Sequence, residues 1–299
     1  MNASVHLLRK VVPATVHLQA QVAESHPSAE ILGTERAGTG TLVSPHGTIL
    51  TAHYMVIGSR TVEVTLEPGD VRTGEVVGID YAAGLGVVKI NDRVPASVPL
   101  RPIDDVRAGE EAFLVASVAD GRRVDAGAIS SVDMFEAFWE YFLDRALTVT
   151  VQNPGLGGGP LLDAHGRMIG VVALSLAEVG KFTLAVPASL AVPMLEQVER
   201  TGHYVPPSPR AWLGITCYAL REHVVLAGVV PGSPAALAGL EAGDVVLAID
   251  GEQVHDRRSL YERIWRRQPG DTVNLRVFRN SAVREIDVVT DTIEKYFAA

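Results

Sequence analysis

Few residues in this chain stand where covalent chemistry is feasible. His53 and Tyr54 follow the run Gly47-Thr48-Ile49-Leu50-Thr51-Ala52, and Asp80 precedes a second apolar run. A glycine-rich loop comes third: Asn153-Pro154-Gly155-Leu156-Gly157-Gly158-Gly159-Pro160-Leu161-Leu162. Acyl transfer needs a hydroxyl or thiol nucleophile, a base within hydrogen-bond reach, and an acid that fixes the base's tautomer. The loop holds no serine. Thr150 and Ser175 lie outside it, and Cys217, the single cysteine, belongs to a later part of the chain. Tyrosine is a poor base near neutral pH, since its ordinary pKa is about 10.

In order and spacing, the three segments resemble the HtrA (DegP-like) family of trypsin-like serine proteases. The family's loop reads Asn-Pro-Gly-Asn-Ser-Gly-Gly-Pro-Leu, so Gly157 stands at the nucleophile's position. Leu50 to Gly58 aligns without gaps with the segment bearing the base; Tyr54 takes the base position and His53 sits one residue early. Asp80 to Ile90 aligns with the family's Asp-Leu-Ala-Val-Leu-Lys-Ile strand and puts Gly84 at the acid. A one-residue slip would restore His53 as base, but in an extended segment it sends the side chain to the opposite face. Asp80 would still be four residues from the acid position. The resemblance thus implies a degenerate triad at Tyr54, Gly84 and Gly157. The expectation is a pseudoprotease, not an enzyme, acting as a peptide-binding scaffold or regulator. The alternative is a serine-type endopeptidase of protein quality control with unconventional or residual activity. The family's oxyanion hole uses backbone N–H groups at Gly155 and Gly157, which need no side chains and could persist.

These segments need a frame. Residues 14–200 alternate short β-type runs with Gly, Pro and Asp turns, as in 41–43, 62–66, 86–90, 112–116 and 169–174. Many short strands at regular spacing predict an all-β barrel or sandwich. The resemblance implies a mainly β fold, a trypsin-like double β-barrel over residues 1–201. Leu190, Met194, Leu195 and Val198 recur at helical steps and predict a helix from Pro187 to Thr201.

Residues 202–211 read as a Pro-rich linker. Trp212-Leu213-Gly214-Ile215, Val229 to Ala235 and Ala238 to Gly251 are similar to a PDZ domain, expected over 212–290 with a tail at 291–299. PDZ domains take an extended peptide as an added strand. The resemblance puts that docking strand at Trp212–Thr216, with amides around Leu213 and Gly214 holding a terminal carboxylate. A helix capped by Asp256 carries Leu260 and Ile264 on one face; both read equally well as peptide-facing or as core. The expected partners are protein C-termini or extended peptides. A second surface is the stripe Phe135, Phe138, Trp139 and Phe142, at the i, i+3, i+4, i+7 spacing of an amphipathic helix, which reads as packing or as a protein contact.

Composition narrows the rest. A net charge of −9 argues against nucleic-acid binding. No cofactor is implied, and the nine histidines show no metal-ligand spacing. No run of 18 apolar residues free of charge is present. Residues 1–13 do not resemble a signal peptide, which with one cysteine points to the cytoplasm. A periplasmic or exported location follows instead if a leader was removed. Residues 1–12 lack the aromatic residues through which family members trimerise, so a homo-oligomer is expected only if other contacts supply it.

Overall fold

The computed structural model describes residue 9 and residues 11–118, 121–176 and 182–298. Most of residues 1–12, weighed above for a leader and for trimer contacts, lie outside the described residues. The chain divides into two compact units: residues 1–135 with 143–205, and residues 136–142 with 206–299.

The first unit holds two closed six-stranded barrels, so the mainly β expectation holds. Strands β1 (Thr15–Gln21), β2 (Glu35–Leu42), β3 (Thr48–Ala52), β4 (Thr61–Thr65), β5 (Val71–Asp80) and β6 (Leu85–Lys89) close in the order β1-β2-β3-β6-β5-β4. Strands β7 (Glu111–Val118), β8 (Gly121–Glu136), β9 (Phe142–Val149), β10 (Pro160–Asp163), β11 (Met168–Ser175) and β12 (Thr183–Pro187) close as β10-β11-β12-β9-β8-β7. Closure removes the unpaired edges that an open sheet exposes. The residues of β3 are all buried, and Leu18, Leu50, Val64, Leu85 and Val87 fill the first barrel with alternating inward side chains.

β3 and β6 pair antiparallel with Leu50 opposite Val87 and Ala52 opposite Leu85. This register brings the turn after β3 (His53, Tyr54, Met55) beside the residue before β6, Gly84. The helix expected from Pro187 begins later: a 3-10 turn covers Ala188–Ala191 and α-helix α1 runs Val192–Thr201. Pro193 sits in the helix's first turn, where its missing N–H costs nothing. Met194 and Val198 are buried, whereas Leu190 is exposed in the 3-10 turn.

In the second unit, β13 (Ile215–Leu220), β14 (His223–Val229), β15 (Val245–Ile249), β17 (Thr272–Arg279) and β18 (Ala282–Val289) form one antiparallel sheet, with β16 (Glu252–Gln253) pairing β15. β13 lies at the sheet's edge. Helix α2 (Arg257–Trp265) starts at Asp256, whose carboxylate accepts from Ser259 N–H at 2.7 Å. Leu260 and Ile264 are both fully buried in the core with Leu213, Ile215, Val273 and Val277.

The aromatic stripe is not a helix. β8 runs through Glu136, Ala137–Tyr141 is non-helical, and β9 starts at Phe142. Its backbone is satisfied outward: Trp139 forms an antiparallel bridge with Thr216, and Phe138 C=O accepts from Cys217 N–H. Pairing with an open strand edge meets the same backbone demand as a helical ladder. Phe138 stays half exposed, packed edge-on against Trp139 at 4.8 Å.

Candidate functional site

Two sites can be built from these elements. The first lies in the barrel unit. Gly157 faces Tyr54: a Cβ placed on Gly157 would lie 2.3 Å from Tyr54 Oη. That hydroxyl donates to Ala173 C=O at 2.9 Å, which fixes the ring across the loop. Burial pushes the phenol up to about 12, so it stays protonated near neutral pH and cannot serve as base.

His53 turns elsewhere. Its backbone N–H and its Nδ1 both meet Gly84 C=O, at 3.0 and 3.1 Å. A carbonyl only accepts, so Nδ1 carries the proton. Burial pushes this imidazole down to about 4, against the smaller opposing effects of the Gly84 bond and the Asp80 charge. Gly84 has φ +75°, a left-handed conformation that disfavours a side chain there. Asp80 Oδ1 accepts from Ala83 N–H at 2.8 Å and Oδ2 from Tyr204 Oη at 3.1 Å.

The glycine loop is tightly cradled. A Cβ on Gly155 would meet Ser117 C=O at 2.4 Å, one on Gly158 Thr39 C=O at 2.3 Å, and one on Gly159 Val115 C=O at 2.3 Å. Close backbone approach therefore accounts for the glycines at 155, 158 and 159. Leu156 C=O accepts from Thr39 Oγ1 and Gly157 C=O from Thr39 N–H, both at 2.7 Å. In a trans peptide the N–H points opposite the C=O, so Gly157 N–H points away from Thr39.

A serine–histidine pair that sequence spacing did not suggest sits nearby: Ser117 Oγ lies 2.9 Å from His17 Nδ1. Ser117 is fully buried and its hydroxyl also meets Gly38 C=O and Thr39 Oγ1. It is a structural tie and not an exposed nucleophile.

The Tyr54–Gly157 fit predicts a double-mutant cycle. Gly157→Ser in the native background is expected to destabilise by about 2 kcal/mol, because the added side chain displaces the phenol and its hydrogen bond. In a Tyr54→Ala background the same change should be near neutral. Urea unfolding of the four proteins measures the coupling; additive effects would contradict the fit.

The second site lies in the other unit, at the turn entering β13. Leu213, Gly214 and Ile215 N–H groups donate to one oxygen, Glu140 Oε1, at 3.2, 2.7 and 3.1 Å. Leu213 N–H also reaches Oε2 at 3.4 Å. Successive amides pointing into one concavity form an anion nest. Gly214 has φ +82°, and a Cβ there would strike Ser233 Cβ at 2.3 Å. Burial pushes the Glu140 carboxyl up to about 7, opposed by the three amide bonds. The neighbouring charges are paired: Arg257 Nε binds Glu136 at 2.6 Å, and the Arg258 guanidinium lies 4.8 Å over the Phe142 ring. Tyr261 Oη donates to Phe138 C=O at 3.1 Å.

The sequence-predicted residues separate here. Leu213, Gly214 and Ile215 converge on a carboxylate. Trp212 instead bridges Asp291 and packs on Tyr296 at 4.9 Å, so the strand begins at Ile215. Leu260 and Ile264 are core. Glu140 was missed, since the aromatic spacing around it reads as a helix with a polar opposite face. Gly214→Ala is expected to distort the nest and raise amide exchange at residues 213–215 at least about tenfold, read by hydrogen exchange with mass spectrometry.

Comparison with known proteins bears on both sites. Residues 38–171 match the trypsin-like peptidase domain and residues 211–290 the PDZ domain. A probable periplasmic serine endoprotease DegP-like protein of Chlamydia trachomatis is 30% identical over 272 residues, covering 86% of this chain and 54% of the relative. The putative serine protease HhoB of Synechocystis is 30% identical over 266 residues, covering 81% and 63%. The chain spans about half the length of the DegP-like relatives it matches. The HtrA-type protease AlgW with tripeptide superposes with TM-score 0.59 at 24% identity, over 97% of each chain. The serine endoprotease from Yersinia pestis gives 0.59 at 22%, over 98% of each; at these identities the likeness shows the fold alone.

Two expectations are corrected by these relatives. The reading of the chain as not an enzyme is overturned: its relatives are named serine endoproteases and it carries their peptidase domain. The alignment at Tyr54, Gly84 and Gly157 misled because it speaks to one mechanism and not to the class of the protein. The cytoplasmic expectation is overturned too, since several relatives are named periplasmic. Among the described residues no helix is long and apolar enough to cross a membrane.

Proposed function

Because the chain belongs to the HtrA/DegP-like family, in which a trypsin-like peptidase domain is joined to a PDZ domain, we propose that it recognises the carboxyl ends of extended polypeptides in periplasmic protein quality control. The observation that carries this reading is the convergence of the Leu213, Gly214 and Ile215 amides on a single carboxylate oxygen. Three N–H donors aimed at one point suit a terminal carboxylate, and the β13 edge supplies main-chain pairing for the residues before it.

Within the peptidase domain, the reading is that the Ser–His–Asp relay is replaced at Tyr54, Gly84 and Gly157. Any peptide-bond cleavage by this chain then runs through other groups. Support comes from the Tyr54 phenol packed against Gly157 and from the neutral His53, whose Nδ1 is committed to Gly84 C=O. The backbone N–H groups of Gly155 and Gly157 remain free of side-chain requirements and are proposed to hold a carbonyl oxygen of a bound chain.

The recognition reading is tested with an array of random decapeptides ending in a free α-carboxylate, probed with the full chain beside the same array amidated. Binding confined to the free-carboxylate array is expected. Equal binding to both would contradict carboxylate recognition.

A further inference from the structure

The nest that suits a terminal carboxylate is already filled by the chain's own side chain. Residues 136–142 leave β8, run along the edge strand β13, and return into β9. Their contacts follow the pattern an added peptide strand would make. Trp139 bridges Thr216 antiparallel, Phe138 C=O accepts from Cys217 N–H, and Glu140 Oε1 takes the Leu213, Gly214 and Ile215 amides. Three contacts lie beyond strand pairing: Tyr261 Oη on Phe138 C=O, Arg257 on Glu136, and the Arg258 guanidinium over the Phe142 ring.

We propose that residues 136–142 are a built-in occupant of the peptide groove, with the Glu140 side-chain carboxylate standing in for a chain terminus, so that an incoming carboxyl end binds only by displacing it. The inference rests on the carboxylate-recognition reading above and adds that the groove is closed at rest. The geometry distinguishes an occupant from ordinary packing. A loop that merely covered an edge strand would need no charge in the nest. Glu140 instead places a partly buried carboxylate against three N–H donors, while the half-exposed Phe138 beside it contributes main-chain bonds rather than a buried ring. Tyr141 N–H bonds Trp139 C=O at 2.6 Å, a tight turn that carries the backbone away just where a peptide would end.

Because the occupant is tethered, its effective concentration at the groove is in the millimolar range for a short connection. A competing peptide sees only the fraction of chains whose groove is open, and its apparent affinity falls by that fraction. The occupant also specifies what fits. Phe138 and Trp139 occupy the two positions before the carboxylate; the half-exposed Phe138 ring leaves that position open to varied side chains, with main-chain pairing setting the fit.

The test uses the full chain in two measurements. Hydrogen exchange followed by mass spectrometry reads protection at residues 213–217 and 136–142 without any ligand. In the native chain both segments should be protected. Glu140→Ala should raise exchange at 213–217 at least tenfold, with Glu140→Gln, which keeps an acceptor oxygen, in between. Unchanged protection in Glu140→Ala overturns the proposal. The second measurement is anisotropy with a fluorescein-labelled peptide reproducing residues 133–139, followed by one alanine with a free carboxylate, and its amide as control. Glu140→Ala should bind the acid peptide at least tenfold more tightly than the native chain does; equal affinity overturns self-occupancy. Faster exchange in Glu140→Ala without preference for acid over amide would retain the occupant and remove the recognition reading instead.

Discussion

Replacing Arg36 by methionine is expected to destabilise the first unit by about 4 kcal/mol, at roughly 1 kcal/mol for each of four carbonyls that lose a donor. Arg36 is 6% exposed. Its Nε donates to Gly33 C=O at 3.2 Å, Nη1 to Tyr54 C=O at 3.1 Å and to Ile57 C=O at 2.6 Å, and Nη2 to Ser28 C=O at 3.3 Å and Ser28 Oγ at 2.7 Å. One planar guanidinium thereby ties β2 to the turn that holds His53 and Tyr54. Methionine keeps much of the stem's packing and removes every donor. Arg36→Lys keeps the charge but not the fork, and should fall between the two. Urea denaturation measures all three. A methionine cost under about 1 kcal/mol would show that water readily takes over these carbonyls.

The second large effect depends on pH. His53 in the folded chain is held down to about 4, below its ordinary value of 6.5. Between these values the unfolded chain binds the proton and the folded chain does not. Stability from this group is therefore complete above about pH 6.5 and is lost as pH falls toward 4, by about 3 kcal/mol in all. His53→Gln keeps an N–H that can reach Gly84 C=O and has no proton to gain. Subtracting its unfolding curve from that of the native chain isolates the histidine's share. A difference that stays flat from pH 7 to 4 would mean the ring charges freely while folded.

Both effects arise at residues whose identity was visible but whose partners were not. The barrels were legible because closed β architecture needs short alternating strands punctuated by turns, a property of local sequence. The three segments with family-like spacing located the candidate site. Their geometry was not legible. That the Tyr54 phenol fills the space beside Gly157 is a distance across 103 residues of chain, set by the packing of two barrels. Arg36 reads as one charge in a small-residue strand, and only the fold brings Gly33, Tyr54, Ile57 and Ser28 to its donors.

The segment 135–142 shows the opposite failure. Its apolar residues fit a helical period, yet the open edge of β13 offers the same backbone a ladder. Periodicity cannot choose between these when the competing partner lies some 80 residues later. Glu140 was hidden for the same reason, since a carboxylate on a helix's polar face needs no explanation. A carboxylate seated on three amides does need one. The glycine at 214 was readable as a point of close approach, but not its occupant.

The proposal under test is a peptidase frame in which the Ser–His–Asp relay is replaced at Tyr54, Gly84 and Gly157, with carboxyl-end recognition at the Leu213–Ile215 amides. Incubating the full chain with a fluorophosphonate probe, followed by peptide mapping, tests it most directly. The probe phosphonylates serines that a neighbouring base activates. The prediction is no stoichiometric adduct anywhere in residues 11–205. A single serine in that range labelled to completion would contradict the claim and identify the nucleophile that the alignment of Gly157 overlooked.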